Sequence, residues 1–239
     1  MKLTIGILLT DHVMADLVGK HGDQPDFYRH IFNQADPSIE LKVYDVVEGN
    51  YPKILDECDG YLITGSKLSV YDSEQWIRKL ETFVQDLNNL KKPLVGVCFG
   101  HQLIAKALGG KTKKSDKGWT IGVQSYEFLE KFDFIEEQNT SISLIHSHQD
   151  QVTELPQNAK LIAGNENVPI AMYSIGTHIM SIQGHPEFTA DYAYDVASNR
   201  KDQLSKTVYE EASYSLKNDN IDSVKVAKWW VKFFKYQNQ

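Results

Sequence analysis

The hydrophobic positions of this chain alternate between two rhythms. Short apolar runs at Leu3–Leu9, Leu41–Val46, Tyr61–Thr64 and Leu94–Cys98 predict β-strands. Between the last two, Trp76, Ile77, Leu80, Phe83, Val84 and Leu87 recur at the spacing of one helix face and predict a helix over Ser73–Leu90. That pattern stops at Lys91 and Lys92, and Pro93 leads into the next strand. Leu94–Cys98 is apolar on both faces, as a central parallel strand must be. Leu103, Ile104, Ala107 and Leu108 line one face of a helix from His101 to Leu108, with Gly109 and Gly110 as its stop. The second half is richer in strands, at Ile121–Phe128, Ser141–His146, Lys160–Ala163, Ile170–Tyr173 and His178–Ile182. Helical patterns at Ala190–Asn199, Gln203–Leu216 and Ser223–Lys235 close the chain. Strands alternating with helices predict an α/β sheet with crossovers. With no internal repeat, low-complexity tract or flexible linker, one domain over residues 1–239 with a helical C-terminal segment is expected.

Composition narrows the picture by exclusion. The 239 residues, 41% hydrophobic and 24% charged, suffice for a core that needs no disulfide or metal. A net charge of -7 argues against a nucleic-acid partner. The two cysteines, Cys58 and Cys98, form neither a disulfide framework nor a CxxC site, which suits a reducing cytoplasm. The N-terminal apolar run is short, lacks a small-residue cleavage site and reads better as a buried strand than as a signal peptide. No run approaches the length of a membrane span. The last helix carries Lys225, Lys228, Lys232 and Lys235 as one stripe, which on an acidic chain reads as a solvated face rather than a membrane-binding one.

Chemistry enters at Gly96–Gln102, GlyValCysPheGlyHisGln, where a buried strand passes directly into a helix. A cysteine at such an elbow projects outward while the helix N-terminus points amides at its sulfur, favouring the thiolate. Gly96 and Gly100 let strand, turn and helix approach closely. An inert buried thiol would fit Cys98 equally well if it stood alone. A reactive thiol needs a base and the base an orienting group. Ser181–Phe188, SerIleGlnGlyHisProGluPhe, offers both just beyond a strand end: His185 as base and acid, and Glu187 to hold its tautomer. Cys58 has no such frame. His146, His148 and Asp150 lack a companion ligand cluster, so no metal is expected, and His101 reads as a packing residue of the helix.

These two segments resemble those of the class I (triad) glutamine amidotransferases, which release ammonia from glutamine through a γ-glutamyl thioester on a Cys-His-Glu triad. ThrGlySerLysLeuSerValTyrAsp at 64–72 resembles the family's oxyanion loop, and SerHisGlnAspGlnVal at 147–152 the SerHis-x-Asp segment of its GMP synthetase-type branch. The resemblance implies a three-layer α/β/α, flavodoxin-like fold with a central, mostly parallel sheet and a smaller antiparallel element. It implies Cys98, His185 and Glu187 as the triad, and amides at Gly65–Ser66 and Phe99 as the oxyanion hole. Gln102 and the Ser147–His148 backbone match positions that hold the amino-acid end of glutamine, and Tyr71, Asp72 and Trp119 are candidates to line the pocket.

Synthetase-linked relatives usually read Gly-Gly-Pro where this chain reads Gly65–Ser66–Lys67. The ThrGlySer loop, Gly118–Gly122 and His148–Asp150 resemble instead stand-alone members such as the plant γ-glutamyl peptidases. No GxxxxGK[ST] or GxGxxG loop occurs, so no nucleotide or other cofactor is expected. The leading expectation is an autonomous hydrolase acting on a small γ-glutamyl substrate, either glutamine or a γ-glutamyl peptide such as glutathione. The second is a subunit that passes ammonia to a separate synthetase partner, and the third a non-catalytic binding module on the same fold. A homodimer is compatible with all three.

Overall fold

The structure is a computed structural model that describes residues 3–130, 134 and 141–238. The elements run β1 (Thr4–Leu9), α1 (Ala15–His21), α2 (Gln24–Ala35), β2 (Glu40–Asp45), β3 (Gly60–Ile63), α3 (Gln75–Asn89), β4 (Leu94–Val97) and α4 (Phe99–Ala107). They continue with β5 (Lys111–Lys114), β6 (Thr120–Phe128), β7 (Ser141–His148), β8 (Asp150–Glu154), β9 (Ala159–Gly164), β10 (Met172–Ile175) and β11 (Ile179–Ile182). Three helices follow: α5 (Ala190–Asn199), α6 (Lys206–Asn218) and α7 (Ser223–Gln237).

Successive side chains of a strand point to opposite faces, and here both sets are apolar. Ile5 and Ile7 of β1, Leu62 of β3 and Val95 and Val97 of β4 enter one core with Phe32 of α2 and Trp230, Phe233 and Phe234 of α7. Leu8, Tyr61, Ile63 and Leu94 enter a second core with Leu80, Val84 and Leu87 of α3 and Leu103 and Ile104 of α4. Two apolar faces demand two helical layers, hence the α/β/α sandwich. Full burial of each large side chain contributes about 1.5–3 kcal/mol.

The main sheet has the order β2-β1-β3-β4-β11-β10-β9-β6-β7. Its first five strands are parallel, and β10, β9, β6 and β7 extend it in antiparallel fashion. β5 and β8 form a separate antiparallel pair.

The parallel strands of the sheet and helices α3, α4, α5 and α7 match the sequence-based expectations closely, whereas α1 and α2 are not among them. The strand expected at Ile170–Tyr173 lies two residues later, because Ala171 bonds outside the ladder and the register shifts between Met172 and Tyr173. The helix expected from Gln203 starts at Lys206, where the Ser205 side chain caps Val208 N–H. The stretch Lys201–Gln203 is a 3-10 turn. On α7 the lysine stripe is a solvated face, with Lys235 on Asp36 and Lys225 near Asp222. No described helix is long and apolar enough to cross a membrane.

Candidate active site

Parallel strands gather loops at their carboxyl ends, the usual place for ligand sites in α/β sheets. Here β1, β3, β4 and β11 are neighbours. Directly after them come Thr10–Asp11, Thr64–Ser66, Cys98 and Gln183–His185. Segments from distant parts of the chain thus meet at one rim.

Cys98 sits between β4 and α4 with φ 50° and ψ −100°, a left-handed conformation for a non-glycine residue. Such a residue costs about 1–3 kcal/mol and persists only where its surroundings over-determine it. They do: Cys98 N–H donates to Ile182 C=O (3.0 Å), Gln102 N–H to Cys98 C=O (3.0 Å) and Gly100 N–H to Thr64 C=O (3.2 Å). A Cβ on Gly96 would stand 2.8 Å from the Gly100 carbonyl, and one on Gly100 2.5 Å from that of Ile63. Both positions therefore require glycine.

His185 is fixed on three sides. Its N–H donates to Ile145 C=O at 2.8 Å, tying the loop after β11 to β7. Its ring stacks flat on Phe188, with centroids 3.9 Å apart. Nδ1–H donates to Glu187 Oε1 at 2.8 Å, which leaves Nε2 free of that carboxylate, and His185 and Cys98 line one cleft together. Cys98, His185 and Glu187 are all at least 95% buried. Burial alone would push His185 down, but the charges on Cys98 and Glu187 overcome it and hold the imidazole up at about 10. The second Glu187 oxygen and the Tyr28 hydroxyl are both buried without a formed hydrogen bond. They lie near each other, and the Tyr28 phenol is driven well above its ordinary value by burial and then by the Glu187 charge.

The Thr64–Lys67 loop is oriented by its carbonyl side. Gly65 C=O accepts from Thr10 Oγ1 (2.9 Å) and Gln24 Nε2 (3.2 Å). Peptide planarity turns Ser66 N–H to the side opposite that carbonyl, and Ser66 lines both clefts that contain Cys98. Asp11 grips Lys67 twice, at its N–H (2.8 Å) and its ammonium (2.9 Å). Phe99 N–H is at the first turn of α4, where helix amides have no intrahelical acceptor.

Gln102, Ser147 and His148 line the same cleft, each through its own bonds. Gln102 Nε2 donates to Asp150 C=O (2.8 Å) and Gln183 Oε1 (3.1 Å). Ser147 Oγ accepts from Arg200 (2.7 Å). His148 lies in a directed chain: Tyr126 O–H donates to His146 Nε2, His146 Nδ1–H to His148 Nε2 (2.8 Å), and His148 Nδ1–H to Asp150 C=O (3.0 Å). Burial holds His148 at about 3 and pushes His146 well below its ordinary value, so both stay neutral. Tyr71 and Trp119 line the cleft. Asp72 instead accepts from Ser69 N–H within its own loop. His101 packs on Tyr173 and bonds Ser181 Oγ at 2.7 Å.

Arg200, Gln24, Asp11 and Tyr28 complete the site without any motif to announce them. Arg200 lies just beyond α5, its guanidinium 5.0 Å from the Trp119 ring centroid and its side chain lining both clefts at Cys98.

A buried thiol, an imidazole held by a carboxylate, and backbone amides at a helix start form an array suited to acyl transfer. The family model of glutamine amidotransferase class-I matches residues 27–195, and the chain belongs to that family. It is a hydrolase of the glutamine amidotransferase type. Gamma-glutamyl peptidase 4 of Arabidopsis thaliana is 31% identical over 233 residues, covering 94% of this chain and 85% of that protein. A glutamine-hydrolyzing GMP synthase subunit of Sulfolobus acidocaldarius is 28% identical over 161 residues, covering 67% of this chain and 84% of that one. The crystal structure of a glutamine amidotransferase from Thermotoga maritima shares the fold, with a TM-score of 0.74 at 18% identity, over 99% of this chain and 98% of that one.

Proposed function

We propose that the protein cleaves γ-glutamyl amide bonds through a γ-glutamyl thioester on Cys98. The observation that carries this reading is the strained Cys98 elbow beside His185, whose ring Nδ1–H donates to Glu187 at 2.8 Å. The Cys98 thiolate adds to the γ-carbonyl carbon and the carbonyl electron pair moves to oxygen. Ser66 and Phe99 N–H groups receive that oxyanion, each such donor contributing about 3 kcal/mol. The oxyanion collapses, the C–N bond breaks, and the leaving nitrogen takes the proton from His185 Nε2. Water then gives a proton to His185 and its oxygen to the acyl carbon, and the C–S bond breaks to release glutamate. Gln102 and the Ser147–His148 backbone hold the amino-acid end of the γ-glutamyl group.

The test is glutamate release from glutamine, glutathione and γ-glutamyl dipeptides, with Cys98→Ala beside the wild type. Cys98-dependent turnover of peptides and hardly of glutamine makes the protein a γ-glutamyl peptidase, and the reverse makes it a glutaminase. Similarity to the Sulfolobus synthase subunit supports a second reading, ammonia delivery to a separate synthetase. Absence of release from every substrate would overturn the autonomous reading in its favour.

A further inference from the structure

Two clefts meet at Cys98, share Ser66, Lys67, Ser147 and Arg200 in their walls, and differ in the rest of their chemistry. The first is polar, with Tyr71, Gln102, Lys114 and Asp150 on its walls. The second is the one lined by His185, together with Met14, Phe188, Tyr192 and Val196. Amide cleavage requires the leaving nitrogen to take its proton from the imidazolium, so that nitrogen must lie on the His185 side. The acyl portion then extends into the polar cleft.

Ammonia would need neither the space nor the walls of the second cleft. Those walls are the outer side of a small apolar cluster, Val13, Leu17, Phe27, Tyr192 and Val196, with Met14 and Phe188 packed on it half-buried. The Phe188 ring lies flat on the imidazole and edge-on to Tyr192 at 4.7 Å between centroids. An apolar wall of Phe188 and Tyr192 thus stands beside the His185 imidazole, with Met14 and Val196 in the same cleft. The rim charges are already paired: Asp11 binds Lys67, and His12 bridges Asp23 (2.6 Å) and Asp45 (3.0 Å). At the junction Arg200 uses one N–H on Ser147, and a guanidinium carries five.

Given the γ-glutamyl hydrolysis argued above, we propose that the second cleft is a leaving-group subsite for amino acids and peptides whose first residue after the γ-glutamyl group has an apolar side chain. That side chain packs on Met14, Tyr192 and Val196. The released amine leaves by this cleft, and water enters by it for the second step.

The experiment measures kcat/KM for glutamine, γ-glutamyl-glycine, γ-glutamyl-leucine and γ-glutamyl-phenylalanine with the wild type, Val196→Phe and Met14→Ala. The wild type is expected to prefer the leucine and phenylalanine substrates to glutamine and γ-glutamyl-glycine by at least about tenfold, the scale on which apolar pockets discriminate. Val196→Phe fills the cleft and lowers the phenylalanine-to-glycine ratio by about tenfold. Met14→Ala removes a partly exposed wall and lowers the same ratio severalfold. Each ratio is taken on a single preparation, so any misfolded fraction cancels. A wild type that prefers glutamine, or ratios unmoved in both variants while glutamate is still released, would overturn the subsite alone. No release from any of the four by the wild type would overturn the hydrolase reading and the subsite with it.

Discussion

Replacing Glu187 by Gln separates the charge of this carboxylate from its shape. The oxygen of the new amide can still accept from His185 Nδ1–H, which lies 2.8 Å from Oε1 in the native protein. Its nitrogen would face the Tyr28 hydroxyl, which has no hydrogen-bond partner at present. Orientation is thus retained while the negative charge disappears. A hydrogen bond to a charged group exceeds a neutral one by about 1 kcal/mol. At an effective dielectric of about 20, two charge centres roughly 4 Å apart attract by about 4 kcal/mol, an upper bound. Converted to rate, these limits correspond to a loss of about 5-fold to 10³-fold in kcat. Glu187→Ala should be worse, because it leaves a buried N–H without an acceptor. The substrate-free assay is alkylation of Cys98 by iodoacetamide, followed by mass spectrometry of its peptide. Glutamate release provides the second measurement, and far-UV circular dichroism checks the fold. Glu187→Gln alkylating and turning over within twofold of wild type would refute the assignment of an electrostatic role to this carboxylate.

Three further perturbations probe other parts of the site and frame. Gly65→Ala would place a Cβ 2.8 Å from His185 Cε1, so kcat should fall by at least about 10² through displaced geometry. Normal turnover would mean that the loop yields freely. His185 is raised to about 10, so its imidazolium persists through neutral pH and is lost only as pH rises through that value. The alkaline limb of kcat/KM should lie well above pH 8 and move down in Glu187→Gln. A limb near 6.5, the ordinary imidazole value, would contradict the ion pair. Gly60→Ala, remote from Cys98, would drive a Cβ to 2.6 Å from the Phe234 ring and 2.9 Å from Pro93 C=O. Such overpacking should cost about 1–3 kcal/mol in urea unfolding while leaving folded enzyme active, and an unchanged midpoint would mean that α7 shifts without penalty.

The strands of the parallel core were legible because they are short, apolar on both faces and separated by long amphipathic helices. Both elements of the cysteine-histidine site were legible for a related reason: each lies immediately after a buried strand, where pattern locates the backbone to within a residue. Other elements carried weaker signals. β5, Lys111–Lys114, is polar throughout and owes its extended form to pairing with β8, so no periodicity marks it. α1 buries one residue, Leu17, and has a glycine in its middle. α2 is absent from the sequence-based elements although a signal for it exists. Asp23 caps it in a box with Asp26, Pro25 sits in its first turn, and Phe27, Tyr28, Ile31 and Phe32 share a buried face.

The consequence is larger than one unplaced helix, because α2 and the segment after β1 hold the Thr64–Lys67 loop from behind. Gln24 and Thr10 fix the Gly65 carbonyl, and peptide planarity makes that bond set the direction of Ser66 N–H. Tyr28 stands against the far side of Glu187. These contacts join residues 41 and 55 positions apart in the case of Gln24 and Thr10, and Arg200 reaches Ser147 across 53. Local pattern carries no information at that range; only the strand order β1-β3-β4-β11 brings the segments together. Motifs locate the cysteine and the histidine, whereas the groups packed around them are set by topology. Gly65–Ser66–Lys67 is likewise held from outside the motif, by Asp11 binding Lys67 at both its N–H and its ammonium.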